Sequence, residues 1–168
     1  MANDPMTAKV HEMPMKTGIE REDRKKLANL LNEALASTYV LYAKTHAVHW
    51  NVVGQMFYGV HKLTDEQYNE LATAIDTIAE RVRAIGFPAL GGLSNYLEVS
   101  VVSDFRELTN TGEMLAQLAQ DHQAVAAKLR EAADEAEEVK DFYTHDLLTG
   151  RIGAHEEATW MLSSLIAD

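Results

Sequence analysis

Apolar residues recur at helical spacing over four long stretches, with short breaks between them. In the first, Leu27, Leu30, Leu31, Ala34, Leu35, Leu41 and Val48 return every three or four residues. That is the stripe of a helix with one face turned to a core, and it predicts a helix over about 21–50. Asn51 to Gln55, with Gly54, is a turn. Val60, Leu63, Leu71, Ile75, Ile78 and Val82 mark a second helix over about 57–85, stopped by Gly86 and then Pro88. A third helix, about 111–138, rests on Leu115, Leu118, Val125 and Leu129, with Asn110 and Glu113 as a capping pair. Its second half, Glu131 to Glu138, is acidic, as a solvated helix end is. A fourth, about 141–166, has Leu147, Leu148, Ile152, Trp160, Met161 and Leu165 as its expected core side. Gly150 and Gly153 inside it each cost about 1 kcal/mol relative to Ala, which close approach of another helix would explain.

The connection from 86 to 109 is long. Ser94 to Ser100 is a candidate short helix, capped by Ser94 and burying Tyr96, Leu97 and Val99. Residues 1–20 carry Pro5, Pro14, Gly18 and charges of both signs, and they read as a flexible arm. Residues 21–168 then form one domain. The expected fold is all-α, a four-helix bundle with a short extra helix between the second and third long helices.

Composition narrows the class. The 168 residues suffice for a single core and contain no cysteine, which excludes disulfides and thiolate metal sites. No apolar run is long enough for a leader or a membrane span, so the expectation is a cytoplasmic protein with no membrane partner. The net charge of −11 disfavours nucleic acid and suits a protein that attracts cations. Lys9, Lys16, Arg21, Arg24, Lys25 and Lys26 are basic, but Glu12, Glu20, Glu22 and Asp23 dilute them. His11 reads as a solvated tail residue.

Candidate chemistry gathers on the second helix. His61 and Asp65 stand four residues apart, as do Asp76 and Glu80. At ~100° per residue all four fall within roughly a quarter of the helix circumference. The two pairs are nevertheless centred about 22 Å apart along the axis, and a metal ion reaches its ligands at about 2 Å. One chain therefore cannot bring both pairs to one ion. An antiparallel copy of the helix, related by a two-fold axis near Asn69 to Leu71, sets each His61/Asp65 pair against the partner's Asp76/Glu80 pair. Two-fold dimers are the commonest oligomers, and an imidazole–carboxylate set suits Fe, Mn or Zn. Ordinary surface ion pairs are the bland alternative, but they do not account for so many ligand-type residues on one face.

This stretch resembles the Dps family (DNA-binding protein from starved cells), the small-shell branch of the ferritin superfamily. The family pattern appears here as His49-Trp50, Gly54, His61-Lys-Leu-Thr-Asp65 and Asp76-Thr-Ile-Ala-Glu80-Arg81. The resemblance implies a ferritin-like bundle and a shell of twelve subunits built from two-fold dimers. It also implies a ferroxidase centre of His49, His61, Asp65, Asp76 and Glu80 shared between two subunits, with Trp50 beside it. Fe2+ would be oxidised by hydrogen peroxide or O2 and stored as Fe3+ mineral, serving iron homeostasis and protection against oxidative damage, with Zn2+ as another occupant. Asp141-Phe-Tyr-Thr-His-Asp146 resembles the segment lining the family's three-fold pores; alternatively Asp141 caps the fourth helix and Asp146 is solvated. His46, His145 and His155 read as structural or surface residues. Two other functions compete: a DNA-condensing shell, which needs a basic arm, and a Zn- or Mn-occupied shell with little redox turnover.

Overall fold

The computed structural model describes residues 9–105 and 107–167; residues 1–8 of the expected arm lie outside the described residues. Five helices follow in order: α1 (Arg21–Asn51), α2 (Phe57–Ala84), α3 (Leu93–Val99), α4 (Thr111–Glu138) and α5 (Phe142–Leu165). No strand occurs among the described residues. The fold is all-α. α1 packs on α2 and α4 on α5, and these two hairpins meet chiefly where α1 lies against α4. The short α3 lies on α1.

The chain's turns are set by local chemistry. α2 stops at Gly86, whose φ is +103°. The Gly86 N–H donates to the Arg83 carbonyl and the Phe87 N–H to the Val82 carbonyl, the paired bonds of a Schellman ending. A Cβ at Gly86 would sit 2.6 Å from the Met13 carbonyl oxygen, because the Met13 N–H donates to the Gly86 carbonyl and draws residues 9–20 against this corner. α4 ends in the same pattern with Lys140 at φ 61° in the left-handed position. α4 begins as expected, with the Asn110 side chain accepting the Glu113 N–H.

The core is a column of aliphatic residues. Leu27, Leu31, Leu35 and Leu41 of α1 meet Leu71 and Ile78 of α2, Leu115, Leu118 and Leu129 of α4, and Leu148 and Leu162 of α5. All of these are fully buried.

Several expectations are corrected. Trp160, expected in the core, is 65 % exposed. The buried line of α5 instead runs Thr144, Leu148, Arg151, His155, Ala158, Leu162. Leu148 is buried and Ile152 and Leu165 pack half-buried against the core as expected, but two members of the buried line are an arginine and a histidine, which hydropathy does not place. Gly150 and Gly153 have open space where a Cβ would be added, so no close helix approach within this chain requires them. α3 starts at Leu93 and is capped by Gly92 rather than Ser94. It buries neither Leu97 nor Val99, because only its Tyr96 side turns onto α1, where Tyr96 stacks on Tyr39 at 4.5 Å.

Candidate metal centre

The turn at Gly54 folds the end of α1 back onto the start of α2, and this brings His49 and His61 together. Their rings stack at 3.8 Å between centroids. His49 Nδ1 lies 2.9 Å from the His61 carbonyl oxygen, and His61 Nδ1 lies 2.9 Å from the His49 carbonyl oxygen. A carbonyl only accepts, so each Nδ1 carries the proton and donates. With Nδ1 so engaged, Nε2 is the nitrogen left to ligate a metal in each ring. The tautomer is imposed by backbone and does not need a carboxylate partner.

Asp65 follows one turn after His61. Its Oδ1 accepts the Tyr68 hydroxyl at 2.6 Å. That bond, chiefly, holds the Asp65 carboxyl below the ordinary carboxylate range. The ionised form, the one that binds cations, is favoured. The Tyr68 ring stacks on His46 at 4.2 Å, and His46 lies 4.0 Å from the indole of Trp50. Burial and the neighbouring His49 both lower the His46 pKa, keeping that ring neutral.

Asp76 and Glu80 are exposed, further along the same helix. Among the described residues, no three His, Asp or Glu side chains converge closely enough to hold a metal ion. One chain thus carries His49, His61 and Asp65 toward one end of α2 and Asp76 and Glu80 toward the other, and neither set makes a metal site by itself.

The Asp76/Glu80 end of α2 is tied down by Arg81. Its Nε donates to the Thr144 hydroxyl at 2.6 Å, and its Nη2 to both carboxylate oxygens of Asp141 at 2.7 Å. Asp141 also caps α5, its Oδ1 accepting the Thr144 N–H at 3.1 Å. Burial alone would raise the Asp141 carboxyl; the bonds from Arg81 and Thr144 outweigh it and leave the pKa lowered. Asp141 is 4 % exposed, so its carboxylate is spent on structure rather than turned to solvent, whereas Asp146 is exposed. Sequence reasoning missed Tyr68 and the Arg81–Asp141 pair. The three-residue spacing of Asp65 and Tyr68 was a usable signal; nothing local links Arg81 to a residue 60 positions away.

A second polar group lies inside the bundle. Lys44 of α1 is 2 % exposed, pairs with Asp121 of α4 at 2.5 Å and donates to the Ser103 carbonyl at 2.8 Å. Deeper still, His122 and His155 face each other with Nδ1 atoms 2.9 Å apart, and Arg151 Nη2 approaches His155 Nε2 at 3.3 Å. Burial lowers His122 to about 4, and burial, then His122, then Arg151 lower His155 to about 2. Both are neutral core residues.

Residues 28–168 match the ferritin-like domain family. The chain is 39% identical over 151 residues to a low temperature-induced protein of Nostoc, covering 89% of this chain and 84% of that one. It is 34% identical over 152 residues to the DNA protection during starvation protein of Brevibacillus brevis, covering 90% and 99%. Among solved structures it is similar to DpsC from Streptomyces coelicolor, with a TM-score of 0.89 and 27% identity over 94% of this chain and 93% of that one. It also resembles the Dps protein of Vibrio cholerae, described as a member of a broad superfamily of ferritin-like diiron-carboxylate proteins. There the TM-score is 0.86 at 26% identity, covering 94% of this chain and 100% of that one. No described helix is long and apolar enough to cross a membrane.

Proposed function

The chain belongs to the ferritin-like family, and within it to the Dps proteins; from that membership we propose that it is a cytoplasmic ferroxidase and iron-storage protein. One observation carries the reading. His49 and His61 each donate Nδ1–H to the other's backbone carbonyl, which leaves Nε2 as the ligating nitrogen, and Asp65, its carboxyl pKa lowered, follows one helical turn after His61. The missing carboxylates, Asp76 and Glu80, are on the same face but about 22 Å along the helix. A second copy running antiparallel across α2 completes two equivalent sites. Twelve such chains, paired as dimers, close into a hollow shell.

Fe2+ is the substrate. Asp65 of one chain and Glu80 of the other are its strongest ligands, and His49 and His61 add neutral nitrogens. Asp76 holds a second, looser ion directly or through water. Two ferrous ions each give one electron to hydrogen peroxide, yielding two Fe3+ and two hydroxides. Pairing the electrons avoids release of hydroxyl radical. Hydrolysis of Fe3+ then deposits mineral in the cavity. Asp146, exposed at the start of α5, is the acid offered to a pore. With a net charge of −11, protection comes from removing iron and peroxide rather than from gripping DNA.

Subunit mixing tests the shared site. Shells of Asp65→Ala alone or Glu80→Ala alone should lose rapid peroxide-driven Fe2+ oxidation while staying assembled. In a mixed dimer one site carries both lesions and the other carries neither. Random mixing makes half the dimers mixed, so about a quarter of the sites recover in a two-fold arrangement. No recovery after verified subunit exchange would refute the shared site.

A further inference from the structure

A cavity of about 220 Å³ lies between α2 and α5, on the side of the bundle where those two helices touch least. Gln67 of α2 and His122 of α4 line its base and are 8 % and 2 % exposed. Among the described residues, the Gln67 amide finds no hydrogen-bond partner at its oxygen or its nitrogen, and neither does His122 Nε2. Buried polar groups are normally paired, so these atoms mark a place for a polar guest. The tautomers say which kind. A guanidinium only donates, so His155 Nε2, 3.3 Å from Arg151 Nη2, accepts. Neutral His155 then carries its proton on Nδ1 and donates it to His122 Nδ1, 2.9 Å away. Neutral His122 is left with its proton on Nε2. A protonated Nε2 is a donor and not a metal ligand. In keeping with that, no three His, Asp or Glu side chains among the described residues converge to hold a metal ion. The base thus offers two donors, His122 Nε2–H and the Gln67 amide, and one acceptor, Gln67 Oε1. A hydroxyl satisfies it by accepting from His122 and donating to Gln67.

Above the base the lining is apolar, with Leu63 of α2 and Met161 of α5 on facing helices. Exposed glutamates stand at the mouth. Arg151 takes Glu70, but among the described residues no lysine or arginine pairs with Glu66 or Glu157. Two carboxylates at a mouth repel an anion and attract a cation. We propose that this cavity binds a small protonated amine whose far end is a hydroxyl. The ammonium sits between Glu66 and Glu157, the apolar middle lies against Leu63 and Met161, and the hydroxyl reaches His122 and Gln67. The volume is below the roughly 300 Å³ at which drug-sized sites begin, so the guest is about one ring in size. The site lies within one chain and goes beyond the iron chemistry, so the failure of either reading leaves the other standing.

Isothermal titration calorimetry of the metal-free protein with tyramine tests this, since tyramine has the amine, the ring and the hydroxyl. Phenethylamine lacks the hydroxyl, para-cresol lacks the amine, and para-hydroxyphenylpropanoate carries a carboxylate in place of the amine. Tyramine should saturate at one molecule per chain. Phenethylamine should bind about tenfold more weakly, because it leaves the base unpaired. Para-cresol should bind about two- to fivefold more weakly, as exposed ion pairs contribute little, and the propanoate should give no saturable heat. Gln67→Leu should bring tyramine down toward phenethylamine. If Gln67→Leu fails to fold, Glu157→Gln at its exposed position decides: it should weaken tyramine about twofold or more and leave para-cresol unchanged. A crystal soaked in tyramine should show the molecule between α2 and α5. No saturable tyramine binding, equal affinity for phenethylamine or for the propanoate, or wild-type tyramine affinity in Gln67→Leu or Glu157→Gln would each overturn the proposal. So would a soaked crystal with tyramine only elsewhere; the base then holds water alone.

Discussion

Removing the Asp141 carboxylate tests whether it is a structural acid, set apart from Asp146, the acid proposed to steer cations. Asp141→Ala deletes the cap on the Thr144 N–H, about 1 kcal/mol. It also deletes the charge-assisted bonds from Arg81, about 1.5–3 kcal/mol for a bond to a charged group. Arg81 keeps its bond to the Thr144 hydroxyl, and its side chain is 15 % exposed, so water takes up part of the loss. The expected total is about 3 kcal/mol. Asp141→Asn retains the cap, since Asn and Asp are equal there, and should cost about 2 kcal/mol. Urea unfolding followed by circular dichroism, at one fixed protein concentration because assembly shifts the midpoint, reads these values. In a double-mutant cycle with Arg81→Ala, the coupling should be about 2 kcal/mol. The sign with pH follows from the lowered pKa of Asp141. The pair's contribution is fully present above the unfolded aspartate value of about 3.9 and is lost as pH falls through the depressed folded value. Asp146→Asn, at an exposed position, should cost under about 0.5 kcal/mol and instead slow Fe2+ uptake. A coupling within about 0.5 kcal/mol of zero would refute the pair, and an uptake defect in Asp141→Asn but not in Asp146→Asn would refute the division of labour.

Backbone and buried charge give further tests. Gly86→Ala should destabilise by about 2 kcal/mol or more, since it combines a left-handed φ with a clash on the Met13 carbonyl oxygen; a neutral result in thermal unfolding would contradict the Met13–Gly86 contact. Lys140→Gly should stabilise by up to about 1 kcal/mol by relieving the same strain at the end of α4. His122 and His155 are held neutral in the core, so the unfolded chain binds protons that the folded chain refuses below the ordinary histidine value of about 6.5. Stability should therefore fall as pH drops from about 6.5 toward 4, by about 1.4 kcal/mol per pH unit for each histidine. His155→Gln should flatten that slope, and an unchanged slope in urea titrations at pH 7, 6 and 5 would refute the assignment.

Much of the molecule was legible one segment at a time. The four long helices follow from apolar spacing because each needs only its own residues to define a face. Gly86 and Asn110 announce helix ends because capping is a contact between near neighbours. The alignment of His61 with Asp65, and of Asp76 with Glu80, follows from helix geometry alone, as does the distance that keeps the two pairs from sharing an ion. Packing decided the rest. The Nδ1-to-carbonyl bonds of His49 and His61 exist only because α1 and α2 close against each other, and those bonds choose which nitrogens are left free. Asp141 was ambiguous between cap and pore until Arg81, 60 residues away, was seen on its carboxylate. Trp160 was misplaced because α5 buries Arg151 and His155, polar side chains whose partners come from α2 and α4. Periodicity along a chain reports what one helix can do by itself, and the pairing of a buried charge or the tautomer of an imidazole belongs to whichever distant residue the fold brings to it.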